Sequence, residues 1–498
     1  MENMIPLWLK QRAFLTPNRL AIETESRALT FQELDESARA LALTLATYGI
    51  TSDMKVALLQ DNTVEMITSY HAISYLGAIA VPLNTRLSAR ELAWQVSDCE
   101  AALLLYDNAH QEKVNSIVLE RSSFQVCNIN TLDQLVVGEE HHYLKAEMRS
   151  DAPHTIIYTS GTTGHPKGVL LTYANHWGSA IGSVLNLGCT LEDKWLAVVP
   201  LFHVSGLSII MRSVIYGMPL RLHRHFDAKA VNEAIIHHKV TMVSVVTAML
   251  TKMVEELGDQ RYPETFRCML LGGGPVPEPL LKVCLDKNIP VYQTYGLSET
   301  ASQIVTLSPE HMITKTGSAG KPLFSAQVKI VDEHGDRVAA NQAGEIVVKG
   351  PNVTSGYYKR EEATQQAIKN QWLHTGDMGY LDEEGFLFVL DRRKDLIVSG
   401  GENIYPAEIE SVLLSHPEVE EAGVVGMKDE KWGRVPVAFV KLKNKAKITE
   451  TDLQMFCRDA LAKYKVPTRF YFMDSLPRNA SGKLLRRELV KRLPSDFQ

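Results

Sequence analysis

In the first 320 residues, short continuous apolar runs alternate with stretches in which apolar residues recur every three or four positions. The run Thr155–Tyr158 is of the first kind, and its β-branched residues predict a buried strand. A capping box at Thr30–Glu33 begins a stretch of the second kind and predicts a helix. Further strands are predicted at Val56–Leu59, Ala78–Val81, Ala101–Leu105, Trp195–Val199, Thr241–Val246 and Cys268–Leu271.

Near-continuous apolar strands separated by helices are typical of parallel sheets that are covered on both faces. We therefore predict an α/β fold with doubly wound sheets. Ligands of such sheets bind where loops leave the carboxyl ends of the strands. Thr159 and Gly272 both occupy that position.

The pattern changes after about residue 320. Alternating or β-branched runs such as Ala326–Val331, with turn residues between them, predict a small β-rich, barrel-like module at about 321–390. Beyond the charged run Asp391–Asp395, Pro406 begins a predicted helix, and mixed strands and helices follow. We predict an N-terminal core of residues 1–393 and a small α+β C-terminal domain of residues 394–498.

Composition and charge narrow the class of protein. A hydrophobic content of 45% and a charged content of 22% are those of a soluble globular protein. The net charge of −6 argues against nucleic acid as the main partner. Six cysteines without metal-type spacing are expected to be reduced thiols. With no apolar run long enough for a membrane span and no signal-peptide pattern, a cytoplasmic enzyme is expected.

The segment Thr159–Gly168 combines glycines, hydroxyl groups and one lysine directly after a predicted strand. The N–H groups and hydroxyls of such a loop can wrap a polyphosphate, with Lys167 as the counter-charge. It is not a Walker A loop, because Gly168 rather than Ser or Thr follows Lys167. The alternative is an ordinary Gly/Thr-rich surface turn.

Three glycines in the segment Leu271–Pro275 also follow a predicted strand. Without side chains, they would let the backbone approach a flat ligand such as a purine. A tight turn, which needs no ligand, explains the same residues.

The segment Thr294–Thr300 follows a short strand predicted at Val291–Tyr292. Tyr295 offers a ring for stacking on adenine, Ser298 a hydroxyl for a phosphate oxygen, and Glu299 an oxygen ligand for Mg²⁺. The alternative is a buried tyrosine followed by a helix cap.

The local sequence pattern does not decide between a functional and a structural role for two charged residues, Asp377 and Lys483. Asp377 stands between two glycines, where it could accept both hydroxyls of a ribose or serve a turn. Lys483 ends the segment Pro477–Lys483 before a basic helix, where a solvated lysine and a catalytic one are equally compatible with the pattern.

His203 and Arg212 are polar residues in an otherwise apolar stretch. A lone histidine among apolar neighbours is usually a core residue. An arginine inside an apolar helix is rarely buried without a partner. Arg212 therefore needs an anion, either an internal carboxylate or part of a substrate.

The order of these segments resembles the adenylate-forming superfamily, which includes acyl-CoA synthetases, luciferases and the adenylation domains of peptide synthetases. The resemblance spans about residues 25–485. It is carried by the phosphate loop, the His loop, the Gly triplet, Tyr-Gly-x-Ser-Glu, Gly-Asp, Asp-Arg-x-Lys-Asp and the C-terminal Gly-Lys. Within the superfamily, Pro-Leu-Phe-His-Val-Ser-Gly-Leu, Arg212, Leu-Leu-Gly-Gly-Gly and Ser-Gly-Gly-Glu-Asn-Ile-Tyr-Pro are most similar to acid–CoA ligases of menaquinone biosynthesis.

The resemblance implies an AMP-forming reaction that uses ATP, Mg²⁺ and CoA. A carboxylic acid would attack the α-phosphate to give an acyl-adenylate and pyrophosphate, and the CoA thiol would then displace AMP. The C-terminal domain would be mobile and would rotate about Lys394 between the two half-reactions. This rotation would withdraw Lys483 and bring Gly400 and Gly401 to the pantetheine of CoA.

The resemblance also implies roles for individual residues. The catalytic set would be Lys483, Glu299, His203 and Ser298, with Glu299 as the metal ligand and Lys483 neutralising charge in the transition state. The residues expected to bind ATP or AMP are Thr159, Ser160, Gly161, Thr162, Thr163, Gly164, Lys167, Gly272, Gly273, Gly274, Thr294, Tyr295, Gly296, Asp377 and Arg392.

The implied acid is 2-succinylbenzoate, an aromatic dicarboxylic acid with one reacting carboxylate and one ring carboxylate that must be recognised. Arg212 would bind the ring carboxylate, directly or through water, while His203 and Ser302 would flank the acyl chain. A site that must pair an anion rejects fatty acids, because the arginine would stay uncompensated. An ion pair of Arg212 within the N-terminal domain is the alternative.

Three other functions are compatible with the sequence. They are another aryl- or acyl-CoA ligase of the same superfamily, an adenylation enzyme that loads a carrier protein, and a non-catalytic nucleotide-binding protein. Intact Lys483, Glu299 and Asp377 speak against the last. A monomer and a homo-oligomer are both compatible with the sequence.

Overall fold

The structure is a computed structural model. It describes residues 3–120, 124–132, 144–159, 166–273, 276, 278–391, 395, 397–404, 406–443, 448–477, 484 and 486–494.

The first 190 residues form a series of strands interspersed with helices, as the apolar pattern predicts. The predicted capping box is confirmed, because the Thr30 side chain accepts from the Glu33 N–H and the Glu33 side chain accepts from the Thr30 N–H. The elements are β1 (Met4–Pro6), α1 (Trp8–Leu15), β2 (Leu20–Glu23), β3 (Ala28–Thr30), α2 (Phe31–Thr47), β4 (Lys55–Leu59), α3 (Val64–Leu76), β5 (Ile79–Pro82), α4 (Ala89–Asp98), β6 (Ala101–Tyr106), α5 (Gln111–Glu120), β7 (Gln125–Asn128), β8 (Glu147–Arg149), β9 (Pro153–Thr159), β10 (Lys167–Thr172) and α6 (Tyr173–Leu187).

A second series of strands and helices follows and ends in an antiparallel hairpin. Its elements are β11 (Trp195–Ala197), α7 (Val204–Tyr216), β12 (Leu220–Leu222), α8 (Ala228–His237), β13 (Met242–Val246), α9 (Thr247–Leu257), β14 (Cys268–Gly272), α10 (Glu278–Asp286), β15 (Val291–Leu297) and β16 (Ser302–Leu307).

The β-rich segment and the C-terminal part complete the chain. The β-rich segment contains β17 (Ser318–Pro322), β18 (Gln327–Val331), β19 (Gly344–Lys349), β20 (Gly356–Tyr357), α11 (Glu361–Ala367), β21 (Ile368–Lys369), β22 (Trp372–Leu381) and β23 (Leu387–Asp391). The C-terminal part contains β24 (Ile397–Ser399), β25 (Glu402–Ile404), α12 (Pro406–Leu414), β26 (Val419–Asp429), β27 (Gly433–Leu442), α13 (Glu450–Ala460), β28 (Phe470–Phe472) and α14 (Arg486–Val490).

The two large sheets of the N-terminal part confirm the predicted parallel arrangement. In the first sheet, β9, β5, β4, β6 and β7 are parallel neighbours, and β10 and β20 add an antiparallel edge. In the second sheet, β2, β12, β11, β13, β14 and β15 are parallel neighbours in that order. Helices α2, α3 and α7 each contribute residues to the largest apolar core.

The β-rich segment continues the second sheet instead of forming a separate layer. Antiparallel pairing runs from β15 through β16 and β17 to β23, β22, β19 and β18. This extension has an apolar core of its own, which includes Ile304, Ile330 and Leu387. The sequence pattern identifies the β-rich composition but carries no signal for its hydrogen bonding to the parallel strands.

The C-terminal part is a smaller α+β unit with a five-stranded sheet. Its strands are ordered β25, β24, β27, β26, with β28 alongside β27. Helix α12 begins at Pro406 as predicted, and Ile409 and Leu413 are buried in the core of this unit. Among the described residues, no helix is both long enough and apolar enough to cross a bilayer.

Two segments that the sequence pattern does not assign to strands lie within strands of the structure. The strand predicted to end at Tyr292 continues to Leu297, because β15 pairs with β16 as far as the register Leu297↔Ser302. Asp377, considered as a turn residue, lies within β22. In both places pairing with a neighbouring strand extends the strand through a glycine-containing segment.

Candidate active site

The loops at the carboxyl ends of the strands converge on a cleft with a cavity volume of about 1110 Å³. Residues from both large sheets and from the C-terminal unit line it. The predicted site residues in its wall are Thr159, Lys167, His203, Arg212, Gly272, Gly273, Thr294, Gly296, Ser298, Glu299, Ser302, Asp377, Gly400 and Gly401. Residues predicted from segments more than 200 positions apart therefore share one site.

Several predicted site residues lie outside the described part of the chain. They are most of the phosphate loop, the last glycine of the triplet, the first arginine of the charged run, the hinge and the C-terminal lysine: Ser160, Gly161, Thr162, Thr163, Gly164, Gly274, Arg392, Lys394 and Lys483. Their roles stay predictions.

The two described ends of the phosphate loop stand side by side at the cleft. Thr159 ends β9, Lys167 begins β10, and the two residues are paired across this antiparallel hairpin. The Lys167 ammonium lies 5.2 Å from the centroid of the Tyr357 ring, within the range of a cation–π contact. The hairpin thus places a hydroxyl and a cation at the cleft.

Glu299 is held in the cleft by neighbours on β20 and just before it. Its Oε1 accepts a hydrogen bond from the Tyr357 hydroxyl at 2.9 Å, and its backbone oxygen accepts from the Thr354 N–H at 2.8 Å. A carboxylate oriented by a second side chain is suited to hold a hard cation such as Mg²⁺. Sequence reasoning missed Tyr357, which has no local motif.

The hairpin that carries Glu299 turns through strained backbone. Ala301 and Ser302 have φ angles of 49° and 104°, a region that residues with side chains rarely adopt. The turn is fixed from outside, since the Ser179 hydroxyl donates to the Ala301 carbonyl oxygen at 2.6 Å. The Asn352 amide donates to the carbonyl oxygens of Thr300 and Gln303 at 2.9 and 3.0 Å. Strain held in this way commonly marks a functional site.

Tyr295 and Asp377 form a buried pair beside the cleft. The Tyr295 hydroxyl donates to Asp377 Oδ2 at 2.7 Å, and the tyrosine is 6% exposed within the core of the β-rich extension. Asp377 borders the cleft, whereas the Tyr295 ring is not part of its wall. Stacking of Tyr295 on adenine therefore stays a prediction, and it would need the ring face to become accessible.

Arg212 is enclosed in helix α7 with one side toward the cleft. The residue is 1% exposed, and its guanidinium lies 5.1 Å from the Trp195 ring centroid. Nη2 donates to Gln303 Oε1 at 3.1 Å, while Nε and Nη1 have no hydrogen-bond partner among the described residues. Burial lowers the pKa of Arg212, but a guanidinium stays protonated in proteins.

No described carboxylate pairs with Arg212, so the internal ion pair considered from the sequence is not found in that part of the chain. An uncompensated buried cation costs several kcal/mol, on the order of what an anionic ligand would offset. A buried guanidinium with unused donors is chemically suited to bind an anion.

His203 is a cleft residue and not a core residue as its apolar neighbours suggested. Its side chain is 41% exposed, and Nε2 lies 3.6 Å from Glu402 Oε2 of the C-terminal unit. Arg86 of the N-terminal part also pairs with Glu402. Burial raises the pKa of Glu402, but the His203 hydrogen bond and the nearby positive charges hold it below its ordinary value.

Gly400 and Gly401 bring the C-terminal unit against the cleft. Their φ angles are 55° and 87°, and a Cβ on Gly400 would lie 2.6 Å from Trp432 Cε3. A Cβ on Gly401 would lie 3.5 Å from Val246 Cγ2, at the end of β13. Glycine is therefore required at 400 by both conformation and space, and the turn lies directly beside the N-terminal part.

A buried lysine joins the two parts of the chain beside this turn. Lys465 Nζ lies 2.8 Å from Glu91 Oε1 in α4 and 2.7 Å from Glu408 Oε1 in α12, and its side chain is 5% exposed. Burial lowers the pKa of Lys465, but the two carboxylates outweigh it and raise the pKa. Sequence reasoning missed this contact, as it missed Glu402, because both depend on how the two parts meet.

The cleft, the strand-end loops and the two-part architecture agree with the architecture expected of an adenylate-forming enzyme. The chain belongs to the AMP-binding enzyme family. Residues 9–358 match the AMP-binding enzyme model, and residues 408–483 match the AMP-binding enzyme C-terminal domain.

Enzymes similar to this chain match almost its whole length. The chain is 57% identical over 494 residues to a 2-succinylbenzoate–CoA ligase of Geobacillus kaustophilus, covering 99% of each. It superposes with a TM-score of 0.92 on a double mutant of o-succinylbenzoate CoA synthetase from Bacillus subtilis bound to a product analogue, at 49% identity and 98% coverage of each chain. The same enzyme in complex with its acyl-adenylate intermediate gives a TM-score of 0.76 at equal identity and coverage.

The difference between these two TM-scores concerns conformation, because both structures are of one enzyme at one level of identity. The chain superposes better on the product-analogue complex than on the acyl-adenylate complex. The contacts of Glu402 and Lys465 across the cleft therefore belong to an arrangement similar to that of the product-analogue complex.

Proposed function

We propose that this chain is an AMP-forming acid–thiol ligase that joins 2-succinylbenzoate to CoA, as in menaquinone biosynthesis. Full-length identity to 2-succinylbenzoate–CoA ligases supports the reaction and the acid. Within the structure, the supporting observation is Arg212, a buried cation that borders the cleft without a described carboxylate partner. It suits the second carboxylate of this acid.

In the first half-reaction, the succinyl carboxylate attacks the α-phosphorus of ATP and pyrophosphate leaves. We assign Thr159 and Lys167 to the phosphates, Ser298 to the α-phosphate and Asp377 to the ribose. Gly272, Gly273, Thr294 and Gly296 would border the base. Glu299 would hold Mg²⁺, which supplies positive charge against the charge that builds up on the phosphates. By family resemblance, Lys483 would also neutralise this developing negative charge.

In the second half-reaction, the CoA sulfur attacks the acyl carbon, the bond to AMP breaks and the thiol proton is lost. Gly400 and Gly401 reach the cleft from the C-terminal unit, and we assign them to the pantetheine. His203 and Ser302 would flank the acyl chain. His203 contacts Glu402 of the C-terminal unit, so we assign it to this half-reaction as well.

Release of pyrophosphate and formation of thioester over a panel of acids test the reaction. We expect both products with 2-succinylbenzoate, ATP, Mg²⁺ and CoA, and pyrophosphate without thioester when CoA is omitted. If the protein turns over benzoate or short fatty acids faster than 2-succinylbenzoate, it is another acyl-CoA ligase of the family. Acyl transfer to a carrier protein with no reaction of free CoA would identify a carrier-loading enzyme.

Replacing the buried cation tests the assignment of the acid. Arg212→Met keeps an apolar stem of similar length and removes the charge. We expect the KM for 2-succinylbenzoate to rise on the order of 10²-fold, as when a buried charged partner is lost, while the KM for ATP changes little. Arg337→Met, at an exposed position, serves as the control. An unchanged KM for the acid would show that Arg212 does not bind it.

We also propose that the cytoplasm is the site of the reaction and that a single chain carries out both half-reactions. The six cysteines are all free, as in a reducing compartment, and residues of one chain line the cleft from both parts of the protein. Cell fractionation tests the location, and light scattering with activity at dilution tests whether a homo-oligomer is required.

A further inference from the structure

Gln303 is a neutral side chain that contacts the guanidinium of the buried Arg212. Gln303 is 1% exposed and lies on β16, one residue beyond the strained turn at Ala301 and Ser302. Its Oε1 accepts from Arg212 Nη2 at 3.1 Å. Because a guanidinium can only donate, the amide of Gln303 must present its oxygen to Arg212.

This choice fixes the direction of a chain of hydrogen bonds. With Oε1 on Arg212, Gln303 Nε2 donates to Thr306 Oγ1 at 3.1 Å. Thr306 then donates to Thr294 Oγ1 at 3.3 Å, and Thr294 donates to the Val305 carbonyl oxygen at 2.8 Å. Each threonine hydroxyl has one proton, so the hydroxyls of Thr306 and Thr294 each donate one hydrogen bond. Neither hydrogen bond can reverse its direction without the loss of another.

The hydrogen-bond network joins residues assigned to different substrates. Arg212, Gln303 and Thr294 all line the cleft, and we assign Arg212 to the acid and Thr294 to the nucleotide. Thr294 and Thr306 face each other across the β15–β16 ladder. Asn352 further fixes the position of Gln303, because the Asn352 side-chain amide donates to the backbone carbonyl oxygen of Gln303.

A neutral partner at 303 has an electrostatic consequence. It holds one nitrogen of Arg212 without cancelling the charge, and Nε and Nη1 keep no partner among the described residues. A carboxylate at 303 would form an ion pair and remove the attraction for an anionic ligand. An apolar residue would leave the charge but release the guanidinium from its orientation.

We propose that Gln303 is a positioning residue that sets the specificity of the cleft for a dicarboxylic acid. It orients Arg212 and leaves its charge available to the carboxylate that does not react. This inference rests on the proposed function and deepens it, because it assigns acid selectivity to a neutral side chain that touches the arginine.

The test compares two acids that differ in one carboxylate. 2-Succinylbenzoate has the ring carboxylate, and 4-oxo-4-phenylbutanoate is the same acid without it. The full-length protein is assayed with each acid, ATP, Mg²⁺ and CoA, and the selectivity is the ratio of the two kcat/KM values. If the wild-type protein activates neither acid, the proposed function is wrong. That outcome is distinct from one in which the wild type is selective and the Gln303 variants keep its selectivity.

Two substitutions of Gln303 distinguish the effect of cancelling the Arg212 charge from the effect of losing the orientation of its guanidinium. Gln303→Glu is expected to lower the selectivity on the order of 10²-fold, mainly through the KM for 2-succinylbenzoate, because the introduced carboxylate would pair with Arg212. Gln303→Leu is expected to lower it on the order of 10-fold, because the charge remains without a fixed direction. In both variants the KM for ATP should change less than the KM for the dicarboxylic acid.

Gln293→Glu is the matched control. Gln293 is a buried glutamine on the partner strand β15, outside the cleft wall, and its substitution also adds a buried carboxylate. Selectivity that stays at the wild-type value in Gln303→Glu, or that falls equally in Gln293→Glu, overturns the proposal. Melting temperatures of all variants show whether each is folded, and selectivity is compared among the folded ones.

Discussion

Tyr357 is a residue whose part in the site is visible only in three dimensions. It lies 58 positions beyond Glu299 in the chain, yet its hydroxyl donates to Glu299 Oε1 at 2.9 Å. The same ring is contacted by the Lys167 ammonium. One side chain thus touches both the predicted metal ligand and the predicted phosphate-binding lysine.

Tyr357→Phe removes the hydroxyl and keeps the ring under Lys167. We expect the Mg²⁺ concentration for half-maximal adenylate formation to rise on the order of 10-fold, because the Glu299 carboxylate loses a donor that orients it. A magnesium titration of pyrophosphate release measures this effect.

The neighbouring Tyr358→Phe is the control for that titration. The Tyr358 ring lies outside the cleft wall and near the Lys55 and Lys359 ammonium groups. A magnesium requirement that is the same in Tyr357→Phe and the wild type would separate Tyr357 from metal binding.

Among individual residues, the sequence identifies as site candidates those whose chemistry conflicts with that of their neighbours in the chain. Arg212 is such a residue, because a cation interrupts an apolar helix, and the structure buries it in the cleft wall. Gln303 and Tyr357 cause no local conflict. Their contacts arise from the packing of β16 against α7 and of β20 against β10, and a single sequence does not contain that information.

Among the secondary-structure elements, α3, β9 and α6 meet at a cluster of three buried histidines. His71, His154 and His176 are at most 6% exposed, and the ring centroids of His154 and His176 are 4.9 Å apart. Burial lowers the pKa of His71 to about 4 and that of His176 to about 3. Burial, with the neighbouring histidines, holds the pKa of His154 well below its ordinary value.

These histidines should make the fold sensitive to acid. Below the ordinary histidine pKa of about 6.5, the unfolded chain binds protons that the folded chain does not, so stability falls with falling pH. Each histidine contributes about 1.4 kcal/mol per pH unit until the pH reaches its folded pKa. We expect a steep fall in melting temperature as the pH drops from about 6.5 to about 4.5.

His71→Met tests this source of acid sensitivity, because it removes one titrating group and a buried nitrogen without a partner among the described residues. Its melting temperature should fall less steeply with acid than that of the wild type. His334→Met, at an exposed position, should follow the wild type. Equal slopes for all three proteins would assign acid sensitivity to other groups.

Prediction of elements succeeds where burial alone decides the structure. Both faces of β4, β6 and β13 are covered, so their apolar runs identify them as strands. The extension of β15 to Leu297 depends on its pairing with β16, whereas Gly296 by itself favours a turn. Pairing between strands therefore accounts for most of what the sequence pattern does not predict.

For the whole molecule, the central contact is Lys465 between Glu91 and Glu408. The three side chains are largely buried, with relative exposures of 5%, 11% and 8%. Burial raises the pKa of Glu408. Removal of the lysine would leave two carboxylates close together without their cation, at a cost of about 3–5 kcal/mol.

Lys465→Met should therefore weaken the docked arrangement of the two parts. If docking serves the second half-reaction, as family resemblance predicts, single-turnover thioester formation should slow on the order of 10²-fold. Pyrophosphate release without CoA should change by less than about threefold, in proportion to the smaller role of docking in that step.

Lys463→Met is the matched control, because Lys463 begins the same short 3₁₀ turn and is exposed. It should leave both half-reactions unchanged. Equal slowing of the two half-reactions in Lys465→Met would mean that Lys465 stabilises the fold without a preference for one arrangement.

Glu402 gives this docking a chemical consequence. The carboxylate belongs to the C-terminal unit, yet it stands beside His203 in the wall of the cleft. If the C-terminal unit moves during turnover, as the family resemblance implies, that stretch of wall would leave with it, and a mixed anhydride in the cleft would meet bulk water there. The wasteful hydrolysis of ATP in the absence of thiol should then follow the time that the protein spends undocked.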